Sequence, residues 1–380
     1  MNIIIACDSF KECLSSWEIA ELLAQGLTAV NPKFHITKIP MADGGEGTMV
    51  ALVKAGRGRV ISCQAEDPLL RVRDSAYAIL NDNKTVVIEM AQTCSLALVT
   101  GSQRNPWHTS TWGVGRQIKD ALEKGYRNFI IGLGGTSTND GGLGLLQCLG
   151  YRFYDQQDKL LAAGQGGKQL LQIKRIDTSM ALAALAECHF TLASDVTNPF
   201  FGSTGAAYIY GPQKGADDEM VRLLDAGLSN FSKVIKQTFN KDISQLPGSG
   251  AAGGTAGGLL AFLNCEMRSG TDIILELYNF PTLLETCDLV ITGEGKIDEQ
   301  TLYGKVPYRI GQICQKQQVP VIAVCGRLAL PAASLLAYGI KEVYELSSPN
   351  TPLQEALAAT PKNLYNTAVT IAEKLNKTPQ

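Results

Sequence analysis

Histidine is scarce in this chain of 380 residues: His35, His108 and His189 lie far apart and without ligand spacing. That argues against a zinc centre and against a Ser-His catalytic pair. No two of the ten cysteines form a C-x-x-C pair; they are scattered singly, mostly in apolar segments, as reduced core thiols are. No apolar run is long enough to span a bilayer, and the opening "MNIIIACDSF" has no basic leader and no cleavage site. A net charge of −2 leaves no footprint for nucleic acid and no membrane partner. A cytoplasmic globular protein of two domains is expected, its oligomeric state left open.

The usual nucleotide signatures are also missing. "GLGGTS" (Gly132–Ser137) fails G-x-G-x-x-G because Ser137 takes the last glycine position. Neither Gly295-Lys296 nor Gly304-Lys305 is followed by Ser or Thr, so there is no Walker A sequence. The protein-kinase set of a glycine loop, a V-A-I-K strand and H-R-D is absent too.

What is present is an α/β grammar. "NIIIAC" predicts a strand, and "SSWE" a capping box with Ser15 as N-cap and Glu18 at N3. Ile19, Leu22, Leu23, Leu27 and Val30 then recur at helical spacing until Asn31-Pro32. "FHITKIP" and "MADGGEGTMVALVKAG" add a strand, a loop and a helix, a β-α-β-α order that predicts a parallel sheet. From about Val60, "RVISCQAED", "VRDSAYAIL" and "TVVIEMA", separated by tight turns, predict antiparallel pairing. Alternation resumes with a helix near 111–124, the strands "NFIIGL" and "FTLASD", and a long helix near 217–238. After Pro281 come the strands "DLVITG", "VPVIAVCG" and "EVYELS" with intervening and terminal helices. The pattern predicts a doubly wound, Rossmann-like parallel sheet formed by both termini (1–60 and 285–380). A second mixed α/β domain (61–284) is inserted, with the active-site cleft between them.

Several loops share one design: an apolar strand, then glycine with Ser, Thr, Asp, Asn or Lys, then a helix start. "DSFK", "ADGGEGT", "GLGGTSTNDGG", "SDVTNPFFGSTG", "GPQKGA", "GSGAAGGTAGG" and "TGEGKIDEQTLYGKVP" all fit it. Ligands of open α/β sheets bind where strand ends meet helix starts, and free N–H groups there favour phosphate. Any one such loop also suits a tight turn or close backbone packing. Phosphoryl transfer needs cations on the moving group, carboxylates for Mg²⁺ and a base for the attacking hydroxyl. Lys11, Lys214, Lys296 and Lys305 suit the first task; Asp43, Glu46, Asp195, Glu294 and Asp298 supply carboxylates, each of which could equally cap a helix or brace a loop. Cys7 and Cys13 flank the first loop without a neighbouring histidine.

Taken in order, "DSFK", "ADGGEGT", "GLGGTSTNDGG", "DVTNP", "GPQKGA", "GAAGG", "ITGEGKID" and "GKVP" resemble the bacterial type-1 glycerate kinases, from residue 8 to about residue 307. The resemblance implies ATP-dependent phosphorylation of D-glycerate at the 2-hydroxyl, with Mg²⁺, in a Rossmann-like domain paired with a second α/β domain. It implies Lys11, Lys305 and Asp195 as catalytic groups, Asp195 as general base or hydroxyl-orienting carboxylate. Asp8, Ser9, Asn198, Glu294 and Asp298 would face the substrate, and Asp43 and Glu46 the metal. Gly134, Gly135, Thr136, Thr138, Asn139, Asp140, Lys214, Gly253 and Gly254 would hold the nucleotide. Three departures stand out: Cys7 for the family's usual proline, "TSTND" for "SATND", and "CGRLAL" for a "GSL"-type turn. Arg327 in the last either alters the cleft edge or points to solvent. A kinase for a related hydroxy acid, a 3-position glycerate kinase and a non-catalytic sensor of a sugar acid or nucleotide are the alternatives.

Overall fold

The computed structural model describes residues 1–377. Among them the strands run in chain order β1 (Asn2–Cys7), β2 (His35–Lys38), β3 (Arg59–Glu66), β4 (Val72–Ile79) and β5 (Thr85–Glu89). Then come β6 (Asn128–Gly132), β7 (Arg152–Tyr154), β8 (Arg175–Asp177), β9 (His189–Ala193) and β10 (Cys265–Arg268). The last three are β11 (Leu289–Ile297), β12 (Val321–Leu328) and β13 (Ile340–Glu345). The described residues divide into two compact units, one of residues 1–43, 50–56 and 270–377, the other of residues 44–49 and 57–269.

The first unit holds a five-stranded sheet in the order β13-β12-β11-β1-β2, parallel throughout. Counted within the unit this is the order 2-1-3-4-5, whose direction of winding reverses between β1 and β11. β1 is buried on both faces, which is why it reads as an unbroken apolar run. On one face Ile3, Ile5, Leu289, Ile291 and Val324 pack with Ile19, Leu23 and Leu27 of helix Ser16–Val30 and with Leu364 and Ile371 of helix Leu353–Lys377. Helix Val306–Lys316 packs against β11 and β1. The Ser15–Glu18 capping box forms as the sequence predicts, and Asn31 ends that helix.

Two local features depart from the sequence reading. β11 does not stop at Gly293 but continues to Ile297, pairing Glu294 with Cys325 and Lys296 with Arg327. "GEGK" is therefore strand rather than loop. Gly295 and Gly326 allow it: a Cβ on Gly326 would lie 2.6 Å from the Gly295 carbonyl oxygen. The half-buried Arg327 donates its guanidinium to the carbonyls of Pro349 and Thr351 and braces that turn. The terminal helix runs unbroken through Pro361. Proline removes the donor for the carbonyl four residues back, which is that of Leu357, and the Cys13 thiol supplies a replacement at 3.4 Å.

The second unit carries a mixed sheet in the order β10-β9-β6-β5-β4-β3 and a small pair, β7-β8. β10, β9, β6 and β5 are parallel, whereas β5-β4-β3 is the antiparallel meander that the turn-separated strands predict. Phe129 and Phe190, register partners on β6 and β9, stack at 4.8 Å in its core. Because four strands point the same way, their carboxyl ends, Glu89, Gly132, Ala193 and Arg268, share one edge of the sheet.

Gly26 marks the crossing of the two helices on the first sheet: an added Cβ would sit 2.6 Å from both the Ala368 Cβ and the Tyr365 carbonyl oxygen. Gly26→Val is expected to lower stability by about 1–3 kcal/mol in urea unfolding. An unchanged midpoint would contradict this packing.

Candidate functional site

In the first unit the reversal point between β1 and β11 gathers charge. Asp8 directly follows β1, its N–H donating to the Gly293 carbonyl at 2.8 Å and its Oδ1 accepting from the N–H of Ser9 at 2.7 Å. Glu294 stands opposite on β11, 5% exposed, paired with Lys305 at 3.6 Å and hydrogen-bonded by the Thr301 hydroxyl. Lys11 reaches Asp43 at 3.7 Å. Its side chain is largely exposed, so this pair adds little stability.

The electrostatics show how tightly these groups are coupled. Burial pushes the Asp8 carboxyl well above the ordinary carboxylate range, the Asp43 charge pushes it further, and Ser9 and Lys11 only partly oppose this. Burial also raises Glu294, against the pull of Lys305 and Thr301. Lys11 is raised by Asp43 first, with Asp8 and Glu294 adding to it. Asp8, Lys11, Asp43, Glu294 and Lys305 are thus brought into one cluster. Asp298 lies at its margin: burial pushes its carboxyl up, but Lys296 and Lys305 more than offset that, and the net value is low. Its carboxylate pairs with Lys296 at 3.1 Å and caps the turn Glu299–Tyr303 through the Gln300 N–H.

In the second unit the loop after β6 answers what its glycines are for. A Cβ on Gly134 would lie 2.4 Å from the Gly45 Cα, and one on Gly253 2.1 Å from the Thr138 carbonyl oxygen. The corresponding position at Gly254 is filled by Leu228 and Phe200. Loop packs on loop. Of the predicted nucleotide glycines here, Gly135 alone meets only ordinary contacts, with the Cβ atoms of Ala91 and Glu46.

Asp140, fully buried, takes the place an anion would occupy at the start of helix Leu143–Cys148. Its carboxylate accepts from the Thr111 N–H and hydroxyl at 2.9 Å and from the N–H groups of Gly142 at 3.1 Å and Gly144 at 3.2 Å. Burial raises its pKa and these four bonds oppose the rise. Lys214 is buried as well; its Nζ donates to the Thr138 carbonyl at 2.7 Å and lies 3.4 Å from the Thr136 hydroxyl. Burial pulls Lys214 down to about 8, with Asp140 opposing. Beside it the side chain of Asn139 and the Thr138 hydroxyl are buried with no hydrogen-bond partner among the described residues.

Asp195 lies two residues beyond β9, half-buried, where Ser194 donates to the Arg268 carbonyl at 3.1 Å. Asn198 is engaged at both ends of its amide, donating to the Thr204 carbonyl and accepting from the Tyr210 hydroxyl. Lys11 and Lys305 belong to the first unit, Asp195 and Lys214 to the second. Glu46 is exposed, in the short segment of the second unit that follows Asp43.

Two groups escaped the sequence reading. Thr301 braces Glu294, and no local pattern announces it. Glu89, 2% exposed, ends β5 and accepts from the N–H groups of Gly47 at 3.1 Å and Met49 at 2.9 Å. A carboxylate inside the apolar "VVIEMA" was the available signal.

The model of the glycerate kinase family matches residues 3–376. A glycerate kinase of Haemophilus influenzae is 40% identical over 375 residues, covering 99% of each chain. The glycerate 2-kinase of Escherichia coli K12 is 39% identical, covering 99% of this chain and 98% of its own. A crystal structure from Salmonella typhimurium LT2, provisionally named glycerate kinase 2, superposes with a TM-score of 0.83 at 39% identity, over 99% of this chain and 98% of the other.

Lys214 gives a direct test of the second cluster. Its pKa of about 8 in the native state lies below the unfolded value of about 10.4. Between these values the unfolded chain holds the extra proton, so native stability rises with pH. Relative to Lys214→Met, the native chain should gain up to about 1.4 kcal/mol per pH unit across that window in urea unfolding. A difference that stays flat with pH would contradict the burial of an ammonium here.

Proposed function

The chain belongs to the glycerate kinase family, and on that footing we propose that it transfers the γ-phosphoryl group of ATP to the 2-hydroxyl of D-glycerate, giving 2-phosphoglycerate and ADP. The observation that carries this reading is the cluster of Asp8, Lys11, Asp43, Glu294 and Lys305 at the winding reversal of a 2-1-3-4-5 sheet, where α/β folds take their ligands. The reaction needs positioning and charge more than covalent chemistry, and cations beside carboxylates supply both.

Lys11, long and exposed, is free to swing from Asp43 to a phosphate or to the glycerate carboxylate. Lys305 is held by Glu294 at the start of helix Val306–Lys316, which adds its own N-terminal N–H groups to the cation. Asp195 serves as general base or hydroxyl-orienting carboxylate. Ser9 stands beside Asp8 for the substrate, whereas Asn198 and Asp298 act by shaping the loops they tie. The loop 134–140 approaches the nucleotide through Gly135 and Thr136, with Thr138, Asn139, Asp140, Lys214, Gly253 and Gly254 fixing its shape.

Among the described residues no three His, Cys, Asp or Glu side chains group as a metal site, so the protein would offer Mg²⁺ one or two carboxylates, the number the ion commonly takes beside substrate phosphates. Asp8 and Asp43 are close enough to repel, and Glu46 follows Asp43 by three residues in the same loop. Hard oxygen donors of that kind suit the ion, which completes its shell with waters and phosphate oxygens. When bound it supplies neutralisation of phosphate charge. Use of ATP places the work in the cytoplasm.

With Mg-ATP and D-glycerate, ADP release followed by a coupled assay should show turnover, and NMR should identify 2-phosphoglycerate. 3-Phosphoglycerate would overturn the regiochemistry, and turnover only on another hydroxy acid would overturn the substrate. Binding with no transfer to any small hydroxy acid would overturn the kinase reading in favour of a sensor. Asp195→Asn should lower kcat by about 10²–10⁴-fold; native-like turnover would remove it from the chemistry.

A further inference from the structure

Glu294 divides its two carboxylate oxygens between two partners. Oε1 accepts from the Thr301 hydroxyl, and Oε2 pairs with the Lys305 ammonium at 3.6 Å. All three residues lie in the first unit, and Glu294 and Thr301 are buried. Burial raises the Glu294 carboxyl; Lys305 opposes the rise most, the Thr301 hydroxyl next, and the charge of Asp298 adds to it. A carboxylate out of water needs donors on its oxygens. Here one donor is an ammonium and the other a hydroxyl from the turn Glu299–Tyr303.

The residue type at 301 decides what it can give. Asp298 caps the turn and Thr301 stands at its N3 position, where a capping box usually carries Glu or Gln. The Thr301 oxygen closes the box by accepting from the Asp298 N–H at 3.0 Å. A hydroxyl accepts and donates at once, so its proton remains for Glu294. An ionised Glu at 301 would close the same box but set a second carboxylate against Glu294, with no proton to give. The chain then turns at Gly304 (φ +111°), and Lys305 comes back to the other oxygen of the same carboxylate. The stretch from Asp298 to Lys305 is thus tied to Glu294 at two points.

We propose that Thr301 is a positioning residue for the phosphoryl transfer: by holding one oxygen of Glu294 it turns the other to Lys305, and so sets where that ammonium meets the substrates. This rests on the kinase reading above. Thr301 acts through Glu294 and Lys305 rather than on the reacting atoms. Without its hydroxyl, both Glu294 oxygens turn to the one cation left beside them and draw Lys305 back from the phosphoryl group.

The test compares the native chain with Thr301→Val, which keeps the shape and loses the hydroxyl, and Thr301→Ser, which keeps the hydroxyl. Steady-state kcat and KM for ATP and D-glycerate are read together with a crystal structure of each chain. Thr301→Val should lower kcat about tenfold or more, with both KM values within about threefold, and should bring the Lys305 Nζ onto both Glu294 oxygens. Thr301→Ser should keep kcat within about twofold of native and keep the native pairing. If Thr301→Val does not fold, Thr301→Cys, whose thiol is a weaker donor, takes its place with a smaller fall. Native kcat without the hydroxyl overturns the positioning role, whatever the KM values. An equal loss in Thr301→Ser also overturns it, because the effect then belongs to the methyl group and its packing. So does a lowered kcat with the Lys305–Glu294 pairing unmoved. If the native chain transfers nothing to glycerate, the kinase reading fails, while the crystal structures still decide whether Thr301 sets that pairing.

Discussion

Repulsion among carboxylates is the constraint on which the rest of the first unit depends. Asp8 follows the end of β1 and Glu294 lies within the adjacent parallel strand β11; burial makes ionisation of both costly, and the charge of Asp43 adds to the cost at Asp8. A protein tolerates such an arrangement only with cations at hand. Lys11 and Lys305 are those cations, each on a short loop that the sheet positions. The 2-1-3-4-5 winding supplies the place, because helices leave in opposite directions from the two central strands and open a crevice at their ends.

The second unit handles charge differently. Its carboxylates at strand ends and helix starts are consumed by the protein: Asp140 accepts four bonds within its own loops, and Glu89 accepts two from a segment far away in sequence. Lys214 is likewise spent on the Thr138 carbonyl. The glycines that seemed made for phosphate mostly let these loops touch one another. Rigid loops of this sort hold functional groups in place, and strand-end loops on a fixed sheet are where such groups gather.

Much of the fold was legible because β1, β11 and β12 are apolar on both faces and the intervening helices carry their own stop signals, as at Ser15 and Asn31. The antiparallel meander was legible from its turns. The run of β11 through "GEGK" was not, because glycines normally argue for a loop, and only the facing Gly326 makes a strand possible. Among site residues, Asp43, Glu294 and Lys305 were visible as charges beside glycine, and Asp8 and Lys11 as charges in the polar run that follows the apolar β1. What Asp140, Asn198 and Asp298 do was not, since a carboxylate or amide at a strand end looks the same whether it binds a ligand or its own backbone. Glu89 was hidden because its partners are brought to it by pairing of strands remote in sequence.

The claim at the centre of this account is that the crowded acids at the reversal point of the first sheet are there to be discharged by a cation that accompanies the nucleotide. Anomalous diffraction at the manganese edge, from crystals grown with Mn²⁺ and ATP, tests it most directly. The account predicts a peak within coordination distance of the Asp43 carboxylate, close to Asp8. A fully occupied ion whose first shell lacks Asp43 would contradict it.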